Sequence, residues 1–323
     1  MREPNNNTPL SSPPLQSLYD YRDLASDRLS AMAHSYYMSG ARDEITLRAN
    51  REAWDQLWLY YQVLVNVEQL DVSARYFNTS QRSPLLVAPT AFHGLAHPQG
   101  ELETARGAAQ AGCVYISSTL SNYSLEEIAE TSSGTRWFQL YVYRDREVTI
   151  DLIRRAENAK CQALVITVDA ATIGTRERDR ALQFHLPKHL TLGNFRGQTR
   201  GALGEAHQDS ALAKYVREQL DPSLTWNDLE WLIEQTTLPV IVKGIIRADD
   251  ALRAIQRGAA GVVVSNHGGR QLDTAAPTAL ALPAIVDAVG ESSLIFVDGG
   301  IRRGTDVLKA LALGADGVLI GRP

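Results

Sequence analysis

The sequence predicts a single (β/α)8 TIM barrel, an α/β fold, and three observations predict it. From about Ser83 onward, short apolar runs alternate with amphipathic or Ala-rich segments of helical spacing. The runs end in polar residues and glycines, as barrel strands do at the face where their loops converge. A chain of 323 residues that is 44% hydrophobic supplies a core large enough for this fold in one domain.

The elements follow in order. Residues 1–15 are rich in Asn, Pro and Ser and lack the apolar stretch of a secretory signal, which reads as a disordered leader. The domain then spans residues 16–323. Leu18 to Gly40 has helical spacing ahead of the first strand, so it is placed across one end of the barrel. The predicted strands are Leu85–Val87, Val114–Ser117, Phe138–Val142, Leu164–Asp169, Val240–Lys243, Val262–Ser265, Ile295–Asp298 and Val318–Ile320. Helical patterns lie between them at Glu101–Gly112, Leu125–Thr131, Val148–Ala159, Asp228–Thr236, Asp249–Gly258, Leu280–Val289 and Thr305–Gly314, several stopping at a glycine that suits a helix C-cap. Residues 185–222 break the alternation and read as a lid-like loop insertion. The sequence stops just after the eighth strand, so the expectation is a barrel whose final helix is absent, with strand eight exposed.

Composition narrows the function classes. Net charge is -5, which leaves no electrostatic footprint for nucleic acid, and no apolar stretch approaches the roughly 20 residues that span a bilayer. Cys113 and Cys161 each precede an apolar run without metal-ligand spacing, so they read as small hydrophobes in a reducing compartment and no metal site is expected. The cytoplasm is the expected location; a peroxisomal signal would lie beyond Pro323 and is left open.

The most informative string is Ser265-Asn266-His267-Gly268-Gly269-Arg270-Gln271-Leu272-Asp273, directly after a β-branched run. It places a histidine and a cation in one pocket, which suits a base acting on an anionic substrate. The bland alternative has His267 capping a strand and Arg270 pairing with Asp273. Against it, every predicted strand sends polar groups to the same face: Pro89 and Thr90, Ser118, Gln139 and Tyr141, Thr167 and Asp169, Lys243, His267 and Arg270, Asp298-Gly299-Gly300, and Gly321-Arg322. The last two groups follow strands seven and eight, where barrels commonly bind phosphate.

Together with Tyr36-Tyr37-x-Ser39-Gly40-Ala41, Ala88-Pro89-Thr90-Ala91, Gln139-Leu140-Tyr141, Thr167-Val168-Asp169, Val242-Lys243-Gly244, Asp298-Gly299-Gly300-Ile301-Arg302-Arg303-Gly304 and Gly321-Arg322-Pro323, the string resembles the FMN-dependent L-2-hydroxy-acid oxidases, which include glycolate and lactate oxidases. The resemblance runs from about Leu18 to the last residue. It implies FMN as cofactor, a small 2-hydroxy acid and O2 as partners, and a homo-oligomer of four or more subunits. It makes His267 the base, Asp169 the group that orients it, Tyr141 a contact to the hydroxyl, and Arg176 and Arg270 the hold on the substrate carboxylate, with Tyr36 adding a hydrogen bond. It places Pro89, Thr90, Ala91, Ser118, Gln139 and Thr167 around the isoalloxazine with Lys243 at its edge, Asp298, Gly300, Arg302, Gly321 and Arg322 around the ribityl phosphate, and Ser265 among the cofactor-binding residues.

Leu120 falls where glycolate oxidases carry a tryptophan, which favours L-lactate over glycolate, although Thr90 is glycolate-oxidase-like. The reaction implied is oxidation to the 2-oxo acid with hydrogen peroxide as by-product. The same motifs also serve relatives that pass electrons to a quinone or cytochrome, and a barrel lacking its last helix has a non-catalytic FMN-binding reading. The other histidines, His34, His93, His97, His185, His189 and His207, read as structural or surface residues, and the tryptophans Trp54, Trp58, Trp226 and Trp231 as packing residues.

Overall fold

A computed structural model describes residues 14–203 and 210–323. Of the predicted leader only the last two residues fall within it, and His207 lies outside the described residues.

Three helices come first: α1 (Leu18–Arg28), α2 (Ala31–Met38) and α3 (Ile45–Asp55). Ser17 and Asp20 form a reciprocal capping box on α1, and Ser30 caps α2 through its side chain. Ser39 ends α2. The predicted Leu18–Gly40 helix is thus two helices, and the chain passes from the second to the C-terminal face of the barrel. A short hairpin, β1 (Ala74–Tyr76) and β2 (Thr79–Gln81), follows.

The barrel strands are β3 (Leu85–Val87), β4 (Val114–Ser118), β5 (Arg136–Leu140), β6 (Leu164–Thr167), β7 (Val240–Ile245), β8 (Gly261–Val264), β9 (Leu294–Val297) and β10 (Gly317–Ile320). All eight pair in parallel and in sequence order, and β10 closes the ring on β3. The intervening helices are α4 (Gly100–Ala111), α5 (Leu125–Thr131), α6 (Arg146–Asn158), α7 (Glu177–Ala181), α8 (Ala211–Gln219), α9 (Trp226–Glu234), α10 (Ala248–Gln256), α11 (Thr278–Val289) and α12 (Gly304–Ala312). Buried on both faces, the strands are mostly apolar in the sequence, with polar residues such as Ser118, Gln139, Thr167 and Lys243 toward their C-terminal ends.

Two cores result. Leu86, Ile116, Val165, Ile241, Val263, Phe296 and Leu319 form one small buried cluster, and alternate residues such as Leu164, Val242, Val262 and Val318 join the larger cluster with the helices. The hairpin belongs to the first cluster: Tyr76 packs edge-on to Trp137 and Phe296, with ring centroids 5.9 and 5.1 Å apart. Strand eight is not exposed as expected. Val318 and Leu319 are fully buried, because α12 and the neighbouring strands cover the former and the inner cluster takes the latter.

Trp54 is buried as expected, but Trp58 is 82% exposed. It begins an apolar strip with Tyr60, Tyr61, Leu64 and Leu70, all exposed. Among the described residues no helix is long and apolar enough to cross a membrane, and no group of His, Cys, Asp and Glu is arranged to hold a metal ion.

Candidate active site

The C-terminal strand ends open into one cavity of about 1320 Å³, counting its mouth. Of the site residues expected from the sequence, all but Asp169 and Ser265 line it. Those two stand directly behind residues that do.

His267 follows β8 by three residues and has a φ of 58°, with Gly268 and Gly269 also in the left-handed region at 64° and 74°. Three such residues in a row turn the chain sharply enough to aim the imidazole back over the barrel. A side chain at Gly269 would strike the backbone of Leu47 at 2.6 Å, so the turn is pressed against α3. His267 Nδ1 donates to Asp169 Oδ1 at 2.8 Å, which leaves Nε2 as the nitrogen free to take a proton. Burial opposes ionisation of Asp169, yet His267 and Lys243 beside it outweigh burial and hold its carboxyl below the usual range. Asp169 reaches this position because residue 244 is glycine: a Cβ there would sit 2.6 Å from that of Asp169.

Ser265 lies behind the cavity wall. Its Oγ accepts from Lys243 Nζ at 2.8 Å and from the His267 amide at 3.1 Å, tying the turn to β7. Lys243 is 4% exposed and also pairs with Asp298 Oδ2 at 3.0 Å, so it is no surface lysine. Burial works against its charge, but Asp298 and Asp169 prevail and raise its pKa.

Arg270 does not pair with Asp273, whose carboxylate instead accepts from the Thr46 amide. Its Nη1 donates to the carbonyls of Tyr36 and Ser39 at 2.7 and 2.8 Å, and the guanidinium lies 4.8 Å from the centre of the Tyr36 ring. Burial and the nearby Arg176 push its pKa down to about 10. Arg176 is equally buried, touches Asp179 at 3.4 Å, and keeps its Nε without a partner among the described residues. Two buried cations thus share one wall, an arrangement with the charge to accept a small anion. Burial raises the pKa of both Tyr36 and Tyr141, so each phenol keeps its proton as a donor.

At the other end, Ser118 Oγ donates to Gln139 Oε1 at 3.1 Å and Gln139 Nε2 to Thr167 Oγ1 at 3.0 Å, a buried polar row across β4, β5 and β6. Pro89, Thr90 and Ala91 line the cavity from the loop after β3, and Asp298, Gly300, Arg302 and Gly321 line it beyond Lys243. Arg322 is held in place: it donates to the carbonyls of Gly268, Ser39 and Tyr37 at 2.6, 3.0 and 3.2 Å. Burial, then Arg270, lower its pKa to about 9.

Some contributors give no sequence signal. Trp54 Nε1 donates to Gly299 O at 2.8 Å, and Asn50 and Asn266 bond each other reciprocally at 2.9 and 2.8 Å, so α3 braces both glycine turns. The 185–222 insertion is not all loop: α8 brings Leu212 and Val216 to the cavity, beside Leu220. None of the other described histidines lines it; His93 bonds Thr104 at 2.8 Å.

Comparison with known proteins agrees with this geometry. A family model described as FMN-dependent dehydrogenase matches residues 25–323. L-lactate oxidase of Nostoc sp. is 49% identical over 320 residues, 98% of this chain and 87% of its own length. Glycolate oxidase 3 of Arabidopsis thaliana is 46% identical over 309 residues, 96% and 84% of the two chains. A crystal structure of mandelate oxidase with (S)-4-hydroxymandelic acid superposes with a TM-score of 0.92 at 43% identity, covering 95% of this chain and 86% of that one. The chain therefore belongs to the FMN-dependent dehydrogenase family, a (β/α)8 flavoprotein oxidoreductase with FMN as its cofactor.

Proposed function

We propose that the protein oxidises an L-2-hydroxy acid, with L-lactate preferred, to the 2-oxo acid, and that O2 takes up the two electrons and two protons as hydrogen peroxide. The observation that carries this reading is the His267–Asp169 pair at 2.8 Å on the same cavity as two buried guanidiniums. That is a base set beside an anion receptor.

The residues present fit FMN. Asp298 Oδ1 is buried with no partner among the described residues, an acceptor suited to a ribityl hydroxyl, and the Gly300, Arg302, Gly321 and Arg322 cluster suits a phosphate. The row of Ser118, Gln139 and Thr167 with Lys243 offers polar edges for the ring system, and Lys243 a fixed positive charge. Bound FMN supplies the two-electron acceptor, chemistry no side chain here provides.

The protein's own part is positioning and proton transfer. Arg176 and Arg270 hold the carboxylate, which points the substrate hydroxyl at His267 Nε2. His267 takes the hydroxyl proton, and ionised Asp169 stabilises the imidazolium formed. Tyr141 donates to the oxygen as it gains charge. Leu120, Leu212 and Val216 give the cavity apolar lining that suits a methyl substituent.

The preference for lactate rests on Leu120, 4% exposed on the cavity wall. Leu120→Trp is expected to move the glycolate-to-lactate ratio of kcat/KM toward glycolate by about tenfold, a methylene-sized effect. Steady-state assays of both substrates check it, and an unchanged ratio removes Leu120 as the determinant. Two free buried cysteines support a cytoplasmic location, and the exposed apolar strip from Trp58 to Leu70 supports a homo-oligomer.

A further inference from the structure

Asp179 is a buried carboxylate that the catalytic scheme leaves without a role. It lies on α7, is 3% exposed, and touches Arg176 Nη1 through Oδ2 at 3.4 Å. Its Oδ1 accepts from Ser39 Oγ at 3.3 Å, and the carbonyl of the same Ser39 accepts from Arg270 Nη1 at 2.8 Å. Asp179 thus reaches both guanidiniums of the anion receptor, one directly and one through Ser39. Both of its own contacts are long for charge-assisted bonds, which normally run about 2.7 to 2.9 Å. Arg176 meanwhile keeps Nε buried and without a partner among the described residues, with capacity for a second anion.

A second cavity meets the first at this point. Arg176, Ile173, Val216 and Leu220 line both, and Asp179 lines the second with Arg144 and Arg180.

We infer that Asp179 is an internal counter-ion that competes with the substrate carboxylate for Arg176, and so sets the affinity of the site for anions. This rests on the reading of Arg176 and Arg270 as the carboxylate receptor. Asp179 is a positioning residue: it acts through Arg176 and touches no reacting atom. Its negative charge, buried against Arg176, opposes a second anion on the same guanidinium, and the long contact lets Arg176 be drawn away. The unliganded protein gains a neutralised cation and loses substrate affinity.

The test is the dissociation constant of oxalate, a compact carboxylate with no oxidisable C–H, measured by calorimetry on the FMN-loaded protein. Asp179→Asn keeps the shape and removes the charge, and oxalate is expected to bind about fivefold more tightly, with KM for the hydroxy acid falling in step. A purely structural Asp179 gives the opposite sign, because loosening Arg176 weakens anion binding. Oxalate affinity that is unchanged or weaker in Asp179→Asn, while Arg176→Met weakens it at least tenfold, overturns the inference and leaves the receptor reading intact. Oxalate affinity indifferent to Arg176→Met overturns the receptor reading itself. Should Asp179→Asn fail to accumulate, Ser39→Ala reads the same competition in reverse: it frees Oδ1 for Arg176, so oxalate is expected to bind at least twofold more weakly, and unchanged or tighter binding counts against the competition.

Discussion

Replacing His267 with Gln is expected to lower the rate of anaerobic flavin reduction by a 2-hydroxy acid on the order of a thousandfold or more, while the protein still purifies yellow. The size follows from what the imidazole alone supplies. His267 Nδ1 is committed to Asp169 at 2.8 Å, so Nε2 is the basic atom facing the cavity. A glutamine amide has no basic nitrogen, and Asp169, held ionised by its surroundings, would have no imidazolium to stabilise. The bonds that hold the cofactor end run through Lys243, Gln139 and Arg322, and Arg322 uses the carbonyl of Gly268, which the substitution leaves in place. Stopped-flow absorbance separates flavin content from reduction rate. Reduction within tenfold of the unsubstituted rate removes His267 as the base.

Replacing Lys243 with Met is the second large effect, and it is felt in stability as well as in cofactor binding. Lys243 is the partner of Asp298 Oδ2, and Oδ1 of the same carboxylate already lacks one among the described residues. Methionine fills the space but strands a buried charge, a loss of roughly 3 kcal/mol or more. Urea unfolding of the FMN-free protein measures it directly, and a loss below about 1 kcal/mol contradicts the assignment. The double variant Lys243→Met with Asp298→Asn is expected to recover most of that stability, since the orphaned charge goes too. It should not recover FMN affinity, which depends on the cation and the aspartate together. Fluorescence titration with FMN distinguishes the two.

The eight strands are legible in the sequence because both their faces are buried: a short, continuous apolar run bounded by turn residues fits a central barrel strand better than a helix with one solvated side. Strand ends are less so. The apolar pattern carries Tyr141 and Asp169 into their strands, yet both lie just beyond β5 and β6, where the backbone leaves the ladder; Tyr141 then lines the cavity and Asp169 stands behind His267. The glycine-bearing motifs are legible because a base and a cation in one tight turn have few uses apart from chemistry. Residues that look ordinary in one dimension are not legible. Asp179 sits in Arg176-Glu177-Arg178-Asp179-Arg180, a run that reads as a solvated helical face, and only the packing of α7 on α2 buries it. Ser265 ties Lys243 to the His267 amide through its side chain, a partnership no spacing encodes. The hairpin from Ala74 to Gln81 is too short and polar to announce itself. Cover for strand eight comes from α12 and the neighbouring strands, a tertiary fact that the order of elements along the chain does not contain.

The central claim is that one cavity binds a 2-hydroxy acid by its carboxylate and removes its hydroxyl proton at His267. The most direct measurement mixes the yellow protein anaerobically with L-lactate, D-lactate and glycolate in turn, then admits air and assays peroxide. The account predicts rapid bleaching by L-lactate, slower bleaching by glycolate, none by D-lactate, and return of the yellow colour with stoichiometric hydrogen peroxide. A flavin that stays oxidised with all three acids contradicts it.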